Sequence, residues 1–226
     1  MENFNAREVG HQYVTNLLER ENQGEWVWYH CYHYFSKVRY QKLTATDYNM
    51  LSLHLSVYLA EEKMYHGSSF ILQNSYKSHR PGIELICSPK YHQLSGIKIV
   101  ELMKPNNLAL LFELVEKLEV IYHELRKATY QRSGKSEPIS PVSQSLLTKI
   151  LLGTLGCVPA FDRQATTVFK QVGIEPQSFS KQCLLSIAEF HQKESKAFQE
   201  LASSLAVGHI DLPEMKLVDI MLQWKA

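Results

Sequence analysis

No stretch of this sequence approaches the roughly 20 consecutive apolar residues that a membrane helix needs, so no membrane partner is expected. The opening MENFNAREVG lacks the charged-then-apolar pattern of a secretion signal, which points to a cytoplasmic protein. Cysteine is sparse. Cys31, Cys87, Cys157 and Cys183 lie far apart and form no CxxC pair. That spacing argues against zinc ribbons, cysteine-ligated clusters and a disulfide framework, and leaves buried free thiols as the expectation. Walker, Rossmann, HExxH and GxSxG patterns are absent, and His54, His123, His191 and His209 stand alone, so neither a cofactor nor a metal is expected. No pair of strand-like runs flanks a hairpin turn. Charge of one sign is lacking too: 24 Lys and Arg face 23 Asp and Glu, so the molecule as a whole is no polycation. The balance is uneven, however. Residues 76–150 carry a net +4, a local basic surface of a size that attracts phosphate.

What is present is an ordinary globular composition, 45% hydrophobic and 21% charged, on a chain of 226 residues that is long enough to bury a core. Val9, Tyr13, Leu17 and Leu18 mark a helix over 6–20. The aromatic segment 26–39, WVWYHCYHYFSKVR, reads as a buried helix, with a strand as the alternative. Thr46 reads as the N-cap of a helix running to about Met64, with Gly67 at its end and Ser68 or Ser69 capping the next. Pro81-Gly82 reads as a break, followed by a short helical piece from Ile83 to Cys87. Leu108, Leu111, Leu114, Val115, Leu118, Ile121, Tyr122 and Leu125 predict a long helix over 107–130, with Arg126 and Lys127 in its last turns. Residues 131–141 read as a loop. Helices are expected at 142–155, 163–172 and 178–205, and a last one from Asp211 with Pro213 in its first turn. The expected fold class is all-α: a two-lobed helical globule forming one unit over 1–226, with lobes at 1–130 and 131–226 and a cleft between them.

The most informative stretch is Ser143–Lys170, SQSLLTKILLGTLGCVPAFDRQATTVFK. An apolar helix through Leu146, Leu147, Ile150, Leu151 and Leu155 carries Gly153 and leads to Gly156, which permit close packing and then a turn. Pro159 holds the linker extended. Asp162 is the natural N-cap of a helix that packs through Ala165, Val168 and Phe169. Ser145 and Lys149, four apart, share a helix face that is expected to point toward Asp162 across the turn. Asp162 is then either a structural cap alone or a carboxylate placed to stabilise a developing positive charge on a substrate.

This stretch resembles the helix-hairpin-helix DNA glycosylase superfamily, the group that includes endonuclease III and 8-oxoguanine glycosylase. There a hairpin of form L-P-G-V-G-x-K precedes an apolar helix and a G-x-P-x-x-A-V-D-like segment whose Asp is catalytic. LLGTLGCVPAFDRQATTVF follows that shape with one residue fewer before the Asp. The hairpin departs from it: Ser140-Pro141-Val142-Ser143-Gln144-Ser145 stands where the glycines and lysine would be, giving a helix-hairpin-helix-like element near 138–172. The resemblance puts Ser145 where lyase members carry their Schiff-base lysine. It therefore implies a monofunctional enzyme that uses water, with Lys149, one turn on, as the alternative lysine. Segments 64–79 and 212–224 are also similar to those of uncharacterised bacterial proteins sharing GCVPAFD.

The resemblance implies a DNA glycosylase that hydrolyses the N-glycosidic bond of a damaged or modified base flipped out of double-stranded DNA, acting as a monomer without a cofactor. A modified base in invading phage DNA fits the departure of the hairpin, and would make this a defence factor. The alternative is a non-catalytic helical nucleic-acid-binding or protein-interaction module. The implied catalytic residues are Asp162 and Lys149. The substrate-binding candidates are Tyr65, His66, Ser68, Ser69, Trp28 and Phe161, with Trp26, Tyr29 and His33 as further aromatic choices. The DNA-binding candidates are Ser143, Gln144, Ser145, Lys127, Arg132, Lys135 and Arg163, with Lys77, His79 and Arg80 as a second patch.

Overall fold

The computed structural model describes residues 13, 15, 24–136, 138, 140–207 and 211–224, without the side chains at 24–26, 66, 67, 207 and 224. Most of the helix expected over 6–20, the side chains of Trp26 and His66, and His209 lie outside the described residues. Within them there is no strand, and the architecture is all-α.

Helix α1, Gly24–Val38, is the aromatic segment, so the helical reading of it holds. It lies along α2, Ala45–Glu61. The cap of α2 is Thr44, not Thr46. Its side chain accepts from the Asp47 N–H while the Asp47 carboxylate takes the Thr44 N–H, a reciprocal box that the later threonine has no partner to form. Helix α2 stops three residues before Met64, because Lys63 turns left-handed at φ 56°. The short helices α3, Met64–Gly67, and α4, Ser69–Leu72, follow, with Ser68 between them making no side-chain cap. Pro81 is not a break: it occupies the first turn of α5, Arg80–Ile86, where its missing N–H costs nothing. After α6, Ile99–Leu102, the long helix α7 spans Pro105–Arg132.

Helix α8, Gln144–Thr154, is capped by the Ser143 hydroxyl on the Leu146 N–H and is buried from Leu146 to its end. It packs on α1, α2 and α7. Its contact with α2 is close because Gly153 has no Cβ: one placed there would enter the ring of Tyr58. Gly156 then turns the chain at φ 62°, against Pro213 and Tyr32. Helix α9, Arg163–Val172, has the boundaries the sequence predicts. The helix expected over 178–205 is two, α10, Lys181–Lys193, and α11, Ser195–Val207, broken at Glu194. The last helix, α12, is Glu214–Trp224, beginning after Pro213 rather than at Asp211, and it packs on α9 and α11. A single hydrophobic cluster runs through these elements from Trp28 to Leu222. All four cysteines are buried free thiols, and burial raises the pKa of Cys87 to about 11 and that of Cys157 to about 12.

Candidate active site

The linker Val158-Pro159-Ala160-Phe161 between α8 and α9 is wholly buried. Its buried N–H groups need protein partners, and side chains from two helices supply them at Ala160 and Phe161. Ala160 N–H donates to Asp219 Oδ1 of α12 at 3.0 Å, and Phe161 N–H to Thr148 Oγ1 of α8 at 3.0 Å. Phe161 itself packs edge-on against Phe169 and Phe179. The residue that follows, Asp162, is thus delivered to a fixed place.

Asp162 divides its two oxygens. Oδ1 accepts the Ala165 N–H at 2.9 Å as the cap of α9. Oδ2 lies 3.1 Å from Lys149 Nζ. That ammonium is also 2.8 Å from Glu62 Oε2 and donates to the Glu62 carbonyl at 3.3 Å. The Lys149 side chain is only 6% exposed, whereas Asp162 and Glu62 are 30% and 25% exposed, so the cation is the buried centre of a carboxylate–ammonium–carboxylate row. Burial alone would lower the Lys149 pKa. The Glu62 carboxylate, and behind it Asp162, outweigh burial and hold it above its ordinary value. Lys149 is therefore an ammonium at neutral pH and not a nucleophilic amine.

The row opens on a cavity of about 550 Å³. Glu61, Glu62 and Lys63 at the end of α2 form one part of its wall; Asp162, Arg163 and Gln164 at the start of α9 form another; Trp28 of α1 and Lys216 and Gln223 of α12 complete it with Lys149. The wall thus draws on residues from before 130 and after 131. Lys63 and Arg163 are exposed and make no ion pair among the described residues. In α12, Lys216 Nζ is 2.9 Å from Asp219 Oδ2, and both side chains are buried. Again burial opposes the charge and a carboxylate, here Asp219, outweighs it and raises the Lys216 pKa.

The sequence candidates divide sharply. Asp162, Lys149, Arg163 and Trp28 come together at the cavity. Ser145 does not: its hydroxyl meets the Met64 sulfur at 3.7 Å, and Lys149 takes the place beside Asp162. Ser143 caps its own helix, and Gln144 Oε1 accepts the Phe179 N–H at 3.0 Å, so both are engaged within the fold. Phe161 is core, which removes it as a wall of a base pocket. Tyr65 donates its hydroxyl to the Ser56 carbonyl at 2.9 Å, Ser68 is buried, Ser69 is exposed, and none of the three lines the cavity. Lys127, Arg132 and Lys135 are exposed along and beyond the last turns of α7, away from the cavity wall, with Arg132 bonded to Asn74 and Thr129. His79 is 1% exposed and hydrogen-bonded to the Tyr122 hydroxyl at 2.8 Å, so it belongs to the core and not to a basic patch.

Sequence reasoning missed Glu61, Glu62, Lys63, Lys216, Asp219 and Gln223. A signal existed for two of them: Lys216 and Asp219 interrupt the otherwise apolar MKLVDIML, and charges on a buried stretch need partners. Compared with known protein families, curated proteins and solved structures, the chain has no match.

Proposed function

We propose that this protein is a monofunctional DNA glycosylase, which hydrolyses the N-glycosidic bond of a damaged or modified base extruded from double-stranded DNA. One observation carries the reading: a single aspartate caps a helix with one oxygen and turns the other, against a fixed ammonium, into a cavity large enough for a nucleotide-sized ligand. Breaking the bond from C1′ to the base builds oxocarbenium character on the sugar, which a preorganised carboxylate stabilises. Asp162 supplies that carboxylate and accepts a proton from the attacking water. Lys149 holds Asp162 in place and, being charged, forms no Schiff base. Lys63 and Arg163, at the rims, receive the flanking phosphates. The likeness of LLGTLGCVPAFDRQATTVF to the glycosylase superfamily supports the same assignment. The protein acts in this reading as a cytoplasmic monomer, on two lobes that meet at the cleft, and a modified base of invading phage DNA is a substrate suited to a defence role.

The test is incubation of purified protein with duplexes bearing varied base modifications, followed by mass spectrometry of released bases and detection of abasic sites. Release by the parent and none by Asp162→Asn supports the reading. Salt-sensitive duplex binding with no base released from any substrate replaces it with the non-catalytic nucleic-acid-binding module, which the absence of hairpin glycines around Ser143 favours.

A further inference from the structure

Two neighbouring linker amides are satisfied in different ways. A neutral hydroxyl, Thr148 Oγ1, accepts the Phe161 N–H, whereas a carboxylate, Asp219 Oδ1, accepts the Ala160 N–H. Either kind of acceptor satisfies a buried amide. The carboxylate brings a second buried charge with it. Asp219 is 2% exposed and Lys216 4%, and the Lys216 ammonium donates to Asp219 Oδ2 at 2.9 Å. Buried ion pairs contribute little net stability, because desolvation offsets their attraction. What this pair does is fix an orientation. The Gln223 amide also donates to Oδ2, at 3.1 Å, so donors hold the Asp219 carboxylate on both oxygens and it cannot turn without breaking a bond.

Lys216 is held in turn. Its ammonium stands 4.9 Å from the ring centroid of Trp28. That ring stacks on Tyr32 with centroids 5.2 Å apart, and its Nε1–H donates to the Leu152 carbonyl at 3.2 Å. Trp28, 1% exposed, is therefore no stacking platform for a base. Leu152 lies on α8 about one turn beyond Lys149, and Ala160 stands two residues before Asp162. The contacts from Leu152 through Trp28, Lys216 and Asp219 to Ala160 thus begin on the helix that carries Lys149 and end on the linker that carries Asp162.

We propose that this run of side chains is a brace, and that Asp219 is a positioning residue that sets where the Asp162 carboxylate stands in the cavity. The inference rests on the glycosidic reading above. Asp219 does not line the cavity, so it acts through the Ala160 amide, and Lys216 and Trp28 act through Asp219. Lys149 holds Asp162 by its side chain, and the brace holds it from behind by its backbone. A carboxylate displaced by about 1 Å from its place under the sugar loses about a hundredfold in rate, which is why the site needs both.

Two double variants separate the linker bond from the charges. Each replaces the ion pair by a neutral pair and leaves no unpaired charge buried. Asp219→Asn/Lys216→Met keeps a carbonyl oxygen for the Ala160 N–H, and Asp219→Leu/Lys216→Met removes it. Single-turnover base release and duplex binding are measured on the modified-base duplex that the full-length parent acts on fastest. The asparagine variant is expected to lose no more than about tenfold in rate and the leucine variant about a hundredfold, while the two bind the duplex alike. Trp28→Phe keeps a ring beside Lys216 and loses the bond to Leu152, so it cuts the brace at its other end. It should slow release about tenfold alone and add little to the leucine variant. Equal rates in the two double variants overturn the proposal, as does a difference between them that lies in duplex binding and not in rate; in both cases base release by the parent stands. Should the leucine variant fail to fold by circular dichroism, Trp28→Phe decides: slower release with unchanged binding supports the brace, and an unchanged rate overturns it. No release of any base by the parent removes this inference and the reading beneath it together.

Discussion

Lys149 and Asp162 meet at 3.1 Å although a helix end, a left-handed glycine and a buried extended linker separate them. Each separating element does part of the positioning. Gly156 reverses the chain, Thr148 and Asp219 pin the linker amides, and Ser143 starts α8 so that Lys149 falls on the face toward α9. Neither side chain reaches for the other by flexibility. The pair is a product of the backbone path, which is why a change at one end can be separated from the folding of the other.

Asp162 is the cleanest place to make that separation. Asparagine caps helices about as well as aspartate, so Asp162→Asn keeps the bond to the Ala165 N–H, and its cost, about 1 kcal/mol with Glu62 still paired to the ammonium, comes from the lost ion pair to Lys149. It nevertheless loses the charge that the sugar cation needs, and base release is expected to vanish. Asp162→Ala loses both functions and about 1 kcal/mol of stability besides. Calorimetry paired with an abasic-site assay reads both effects. Full release by Asp162→Asn contradicts the mechanism outright.

Gly153 tests whether the site depends on the approach of α8 to α2. A methyl group there enters the Tyr58 ring, and Tyr58 is fully buried with nowhere to move. Gly153→Ala is expected to cost about 1–3 kcal/mol, read as a lower denaturant midpoint with an unchanged slope. Because Glu62 lies just beyond α2 and Lys149 on α8, the same shift should separate their charges and reduce base release more than the stability loss accounts for.

Much of this was legible before the structure. The boundaries of α9, the capping by Asp162 and the roles of Gly153 and Gly156 follow from local rules about helix ends and glycine, and those rules act over a few residues. Lys149 shared a face with Ser145 in the sequence, but which of them would lie beside Asp162 depended on the turn, and the turn favoured the lysine. Glu62 was beyond reach, since it arrives from just past the end of α2, far away in the chain, and although Lys216 stood out as a charge in an apolar stretch, its place on this wall did not. The aromatic candidates failed for a different reason. Trp28 and Phe161 look like stacking surfaces in a sequence, yet large rings are the best core fillers, and here both are buried.

His79 gives the acid limb of stability. Burial pushes its pKa down to about 4, and its ring nitrogen bonds the Tyr122 hydroxyl. The unfolded chain takes up this proton near 6.5 and the folded chain only near 4. The neutral ring's contribution is therefore complete above about 6.5 and is lost as pH falls from there to about 4. Melting temperature measured across that window should slope downward toward acid. His79→Phe, which cannot bind the proton, should flatten the slope by about one proton's worth while lowering stability at neutral pH, because Tyr122 loses its partner. Identical slopes would remove His79 from the account.

Lys149 gives the alkaline limb and the strongest statement about chemistry. Its folded pKa lies above the ordinary lysine value of about 10.4, so its contribution is complete below that pH and disappears as pH rises through the raised value. Stability of the parent should hold to about pH 10 and then fall. The same raised value keeps the amine protonated during turnover. Incubation with abasic DNA and borohydride should therefore trap no covalent adduct at neutral pH. Glu62→Gln removes the larger of the two carboxylate effects and leaves burial, opposed by Asp162 alone, so Lys149 becomes easier to deprotonate. A borohydride-trapped adduct that appears in Glu62→Gln and is lost again in Glu62→Gln/Lys149→Met is the expected sign. An adduct in the parent that survives Lys149→Met points to another amine, and an adduct in the parent that needs Lys149 turns the assignment from hydrolase to lyase.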